Sequence, residues 1–169
     1  MSRISVEEKP LIVGVMGSHR ENAPSMNDAR ILGEAIAQRG HILLTGGGPG
    51  VMKAASEGAH SAEGLVIGIL PSERKRPLPG YPNDFVDIAI YTGMYDARNI
   101  INAKTPHVII ALGGGAGTLS EMAIAAKSGT PIIGLHAPKM EFDDDALFTP
   151  VTSVGEALQR LDEILSKVQ

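Results

Sequence analysis

The sequence predicts a single-domain α/β fold: a doubly wound, Rossmann-like parallel sheet with helices on both faces. Three observations carry this. Short runs dense in Val, Ile and Leu alternate along the whole chain with segments of helical periodicity; strands apolar on both sides belong to parallel sheets covered on both faces. The apolar runs end repeatedly in glycine, at Gly17-Ser18, at Gly46-Gly47-Gly48-Pro49-Gly50 and at Gly113-Gly114-Gly115-Ala116-Gly117-Thr118. At 169 residues, 43% hydrophobic and 20% charged, the chain can bury one sizeable core and has an ordinary globular composition.

Met1 to Pro10 is polar and charged and is expected to be a flexible leader, with residues 11–169 forming the single domain. Leu11–Met16 is an apolar run and the first expected strand. Ser25–Arg39 reads as a helix whose inner face is Ile31, Leu32, Ala35 and Ile36, stopped by Gly40. A strand is expected at Ile42–Thr45 and a helix from Val51 to Ala59; a third strand, Leu65–Leu70, is cut by Pro71. The polar stretch Ser72–Asp84 holds Pro77, Pro79, Gly80, Pro82 and the basic run Arg74-Lys75-Arg76, and reads as a loop. Phe85–Tyr91 follows as a strand, Tyr95–Lys104 as a helix, Val108–Leu112 as a strand and Thr118–Lys127 as a helix. Pro131–Leu135 is the sixth and last expected strand, an acidic loop Glu141–Asp145 comes next, and Val154–Val168 is an amphipathic C-terminal helix.

The glycine turns are where chemistry is expected. A strand that ends in bare backbone and feeds a helix leaves unpaired N–H groups and a positive dipole end in one crevice, which suits an anion, most often phosphate. The expected ligand contacts are Gly17 and Ser18 after the first strand, Gly46, Gly47 and Gly48 after the second, and Gly114, Gly115, Ala116, Gly117 and Thr118 after the fifth. Two such loops predict a ligand with a phosphate and a second polar part. Neither loop matches the dinucleotide fingerprint or the P-loop. Thr118-Leu119-Ser120-Glu121 fits a capping box, which gives Glu121 a structural role; a carboxylate on the crevice floor is the functional alternative. Arg98 falls in the first turn of its expected helix, where a cation opposes the dipole; an anion or an ion pair with Asp96 or Glu121 would account for it.

Other chemistries find little support. The five histidines show no metal-ligand spacing, cysteine is absent, and the acidic run lacks the calcium-loop pattern, so no metal site is expected. His19 and Arg20 follow the first strand, where a solvated loop is the first reading and a place lining the crevice the second, and Ser18, Thr118 and Ser120 have no base at triad spacing. A net charge of -4 argues against nucleic acid. With no signal peptide and no apolar span of membrane length, no membrane partner is expected and the cytoplasm is the expected setting.

Thr45 to Ala55, then Ile67-Gly68-Ile69-Leu70-Pro71, then Arg98-Asn99, then Gly113 to Glu121 together resemble the Rossmann superfamily often called lysine decarboxylase-like. It includes the LOG cytokinin-activating phosphoribohydrolases and the molybdenum cofactor carrier proteins, and Gly14-Val15-Met16-Gly17, Gly50-Val51-Met52 and Ala97-Arg98 with Asn102 look closer to the carriers. The resemblance implies a homo-oligomer, dimer or tetramer, and a nucleotide-like ligand across both loops: the molybdenum cofactor, or a nucleoside monophosphate. Were the protein LOG-like, it would be a phosphoribohydrolase with Arg98 and Glu121 as its catalytic pair. Leu112 or Gly113 then stands where that motif has proline, and Asn99 where it has lysine. The helices at 94–104 and 118–128 are apolar on more than one face, which also predicts a partner copy.

Overall fold

The structure, a computed structural model, describes residues 9–141, 144 and 147–168. The first eight positions of the expected leader and most of the acidic run 141–145 lie outside the described residues. The elements are β1 (Ile12–Gly17), α1 (Met26–Gln38), β2 (Ile42–Thr45), α2 (Val51–Ser61), β3 (Val66–Leu70) and β4 (Ile88–Tyr91). A 3-10 turn, Tyr95–Arg98, leads into α3 (Asn99–Lys104), followed by β5 (Val108–Leu112), α4 (Ala116–Lys127), β6 (Ile132–Leu135), β7 (Phe148–Val151) and α5 (Val154–Leu165). The strands form one sheet in the order β4-β3-β2-β1-β5-β6-β7, parallel throughout.

Side chains alternate across each strand, so the sheet has two cores. Val13 and Val15 of β1, Leu43 of β2 and Ile110 of β5 point to one face and meet α1, α2 and α5. Met16, Leu44, Ile69 and Ile109 point to the other, where Ala103 of α3 and Met122 and Ala125 of α4 cover them. The second face is covered less completely. Ile88 and Ile90 of β4 lie in register with Ile67 and Ile69 and remain 44% and 42% exposed.

Four details depart from the sequence reading. A seventh strand, β7, lies at the sheet edge; Pro150 interrupts its apolar pattern, and proline without an N–H is tolerated at such an edge. The helix expected at 95–104 is split into a 3-10 turn and a six-residue helix. On α1 the inner face is Ala29, Leu32, Gly33, Ala35 and Ile36, while Ile31 is exposed. α4 begins at Ala116 with Gly115 as its N-cap, so Thr118 lies in the first turn and the Thr118–Glu121 capping box is not formed.

α1 and α2 approach to backbone contact at two glycines. A Cβ on Gly33 would run into the carbonyl of Ala55, and one on Gly58 into the carbonyl of Arg30. Neither backbone can yield without parting the helices. We therefore expect Gly33→Val and Gly58→Val each to cost about 1–3 kcal/mol, or roughly 3–10 °C in Tm. Gly155→Ala, on α5 where a Cβ would meet only Ser153 Oγ at an ordinary 3.9 Å, leaves Tm unchanged or raises it in the same thermal melts.

Candidate functional site

Strand order reverses between β1 and β5, so the crossovers on either side leave on different faces and a crevice opens beyond the carboxyl ends of these two strands. It is an open cleft of about 960 Å³. Gly17 and Ser18 line one wall, Gly113 to Thr118 the floor, and Asn22, Ser25 and Asp28 the N-terminal approach to α1. His19, Arg20 and His136 complete it. Sequence periodicity could not have found His136, Ser25 or Asp28, which topology alone brings to the site.

The floor is built to face outward. Gly113 (φ 54°) and Gly114 (φ 113°) take left-handed conformations that side chains resist, and the Gly113 N–H is tied to the Leu135 carbonyl of β6 at 3.1 Å. The chain then enters α4 at once. The N–H groups of Ala116, Gly117 and Thr118 form its first turn and have no intrahelical acceptor. A Cβ at Gly115 or Gly117 would meet nothing within 4 Å, so open space lies over this turn. His136, on the cleft wall, holds a left-handed φ of 54°, a strain that cleft residues commonly carry.

The first glycine loop has a different fate. Gly46, Gly47 and Gly48 are buried and do not line the cleft. Asn83 donates its backbone N–H to the Gly47 carbonyl at 2.7 Å and its Nδ2 to the Gly48 carbonyl at 2.9 Å. The Tyr81 ring lies against Gly48, which has no side chain to keep it off. The first N–H of α2, on Val51, donates to the Ser18 carbonyl at 2.9 Å, and Ser18 Oγ accepts from the Arg20 N–H at 3.1 Å. This loop is closed by protein, whereas the loop before α4 is open.

Arg98 closes it further. As the last residue of the 3-10 turn, it donates from Nη1 to the Ile69 carbonyl at 2.8 Å and the Gly46 carbonyl at 3.2 Å. Its Cζ stands 5.6 Å from the centroid of the Tyr81 ring, close enough for a cation–π contact. None of the ion pairs among the described residues includes Arg98. The guanidinium therefore binds the carbonyl ends of β2 and β3.

Glu121 lies nearby, only 8% exposed, and its Oε1 accepts from Asn102 Nδ2 of α3 at 2.9 Å. Burial pushes its carboxyl from the usual 4.5 up to about 7, against the opposing pull of the Asn102 hydrogen bond and the Arg98 charge. Asn102 Oδ1, also buried, has no hydrogen-bond partner among the described residues. Burial likewise raises the Tyr81 phenol, with the Arg98 charge opposing. Arg98, Tyr81, Glu121 and Asn102 thus form a polar cluster beside the cleft. Among the described residues, no group of three or more acidic or histidine side chains is placed to hold a metal ion. Nor does any helix there have the length and apolarity to cross a membrane.

Fold and cleft together define a Rossmann-like domain with one outward-facing glycine loop at its switch point. The chain belongs to the SLOG cluster4 family, whose profile matches residues 10–161, within the LOG-like Rossmann superfamily. A molybdenum cofactor binding protein from the phototrophic bacterium Rippkaea orientalis is 39% identical, with a TM-score of 0.81 over 93% of this chain and 98% of that one. The Moco carrier protein of Chlamydomonas reinhardtii is 35% identical, with a TM-score of 0.82 over 94% and 99%. An uncharacterized protein of Archaeoglobus fulgidus is 44% identical over 77% of this chain and 83% of its own length. DNA processing protein A of Helicobacter pylori, at 20% identity and a TM-score of 0.69 over 91% of this chain and 81% of that one, shares the fold alone.

The raised Glu121 carboxyl makes stability depend on pH. The unfolded chain releases this proton near pH 4.5 and the folded chain near 7, so the fold holds the extra proton between those values. Stability attributable to this group falls as pH rises through that window and is lowest above about 7, at about 1.4 kcal/mol per unit. We expect Glu121→Gln to be more stable than the parent at pH 8 by about 2–3 kcal/mol and equal to it near pH 4. Urea denaturation of both proteins from pH 4 to 9 measures the difference.

Proposed function

We propose that this protein binds the molybdenum cofactor or a closely similar phosphorylated heterocycle, with the phosphate on the first turn of α4, and that it acts as a carrier. The observation that carries this reading is the free first turn of α4 opening onto the cleft. Backbone N–H groups and the helix dipole there favour an anion, and Arg20 adds positive charge. The likeness to molybdenum cofactor binding and carrier proteins over nearly their whole length supports the ligand class. Gly17, Ser18, Gly114, Gly115, Ala116, Gly117 and Thr118 are the residues of this proposed site. Gly46, Gly47 and Gly48 would act beneath it, by seating Tyr81 and Arg98. A small cytoplasmic ligand rather than nucleic acid suits the net charge of -4.

One observation favours a second reading, a phosphoribohydrolase of the LOG type. A buried carboxyl poised near neutrality beside an arginine suits acid–base work on a ribosyl bond. Against it, one nitrogen of Arg98 is already spent on two backbone carbonyls.

Mass spectrometry of ligand released from the purified protein separates the two: a pterin phosphate supports the carrier, whereas free base released from added AMP supports the enzyme. Gly117→Asp tests the loop itself. It places a carboxylate in a helical first turn with room for it, so the fold is kept. Inorganic phosphate should raise the Tm of the parent protein by mass action and leave this variant's Tm unmoved. An equal shift in both would overturn the assignment of the phosphate to α4.

The protein is also proposed to be a homodimer or homotetramer through the thinly covered face of the sheet. Ile88 and Ile90 of β4, Ile100 of α3 and Leu119 of α4 stay 40–46% exposed there, beside Met94 and Tyr95. Large aliphatic side chains left exposed on one face of a sheet call for a covering surface, and a second copy is the commonest. Sedimentation at micromolar concentration should give at least twice the 17.7 kDa of one chain. Ile88→Asp combined with Ile100→Asp should reduce it to one.

A further inference from the structure

Ser25-Met26-Asn27-Asp28 opens α1 with the spacing of a capping box, in which an N-cap serine and an acidic residue three positions on each accept the other's backbone N–H. α5 shows a close variant of the box, with the serine half made and the acidic side chain turned back one residue further, to the N–H before the N-cap. Ser153 Oγ accepts from the Glu156 N–H at 3.2 Å, while Glu156 Oε2 reaches back to the Thr152 N–H at 2.8 Å. At α1 neither half exists. The Ser25 side chain accepts no cap hydrogen bond, and among the described residues the Asp28 side chain enters none of the hydrogen bonds or ion pairs.

Asp28 is nevertheless half-buried and lines the cleft. It shares a face of α1 with Ser25, whose Oγ would stand 3.2 Å from a Cβ on Gly113. Asp28 therefore sits about 5 Å further along α1 from the turn that leads to the proposed phosphate position. No other carboxylate lines the cleft among the described residues. A site for an anion gains nothing from a negative group, and neither Arg20 nor the two cleft histidines neutralise it. Among the described residues no protein group donates to its oxygens, and a ligand with paired N–H groups would do so.

We propose that Asp28 accepts the paired N–H donors of a 2-amino-4-oxopyrimidine edge, the edge shared by pterins and guanine, and so sets the specificity of the cleft. The proposal rests on the phosphate reading above and adds the other end of the ligand. A cleft of about 960 Å³ has room for both ends at once.

The test uses the purified full chain and four probes: GMP, IMP, AMP and inorganic phosphate, titrated by calorimetry. IMP is GMP without the 2-amino group. The parent protein should bind GMP at least about tenfold more tightly than IMP or AMP, the usual worth of one bidentate edge contact. Asp28→Asn should bring the GMP-to-IMP ratio to about one while inorganic phosphate binds both proteins alike. Asp28→Ala, with folding checked by its melt, should do the same. A parent ratio near one, or a ratio unchanged in both variants, overturns the role of Asp28 even where phosphate binds. If the parent binds neither phosphate nor any nucleotide, the phosphate reading fails and this one with it.

Discussion

Everything functional here depends on the reversal of strand order between β1 and β5. Parallel strands need crossovers, and right-handed crossovers moving outward from a central strand in opposite directions must use opposite faces. Only at that point is the carboxyl end of the sheet left without a covering connection. The cleft is thus a result of topology before it is a result of particular side chains. The side chains decide what may enter. Glycines after β5 bring the backbone to the surface, and the loop after β1 supplies the opposite wall.

The two glycine-rich turns show how one local sequence feature can serve two ends. Both follow a buried strand and both precede a helix, but only the second stays open. The first is filled by Tyr81, Asn83 and Arg98, brought by a long loop and by a turn far along the chain. Its glycines admit protein atoms where those of the second leave room for solvent or ligand. Arg98 illustrates the same economy: the charge stabilises carbonyl dipoles at the ends of two neighbouring strands, and at the same time moderates the buried Glu121 carboxyl.

Much of the fold was legible because parallel strands and their helices carry strong local patterns. Six strands and the sheet class follow from apolar runs and glycine punctuation. β7 did not, since Pro150 and a partly exposed edge position erase its pattern. The start of α4 was read two residues late because threonine is a good cap in isolation, yet Gly115 fits the extended N-cap conformation and tertiary structure used it. Gly17, Ser18 and Gly114 to Thr118 could be placed at the cleft from their positions after strands. Asp28, His136 and Tyr81 could not, because each reaches its place only through contacts distant in sequence.

Pro150 has a further consequence. An edge strand whose N–H groups are free can recruit another strand, and a sheet with two such edges can recruit at both ends. Here one edge strand contains a residue that has no N–H to offer, while β4 at the opposite edge contains none. Lateral pairing is thereby blunted at β7 relative to β4. Copies that met edge to edge would meet fewest obstacles at β4 against β4, an encounter that closes as a pair.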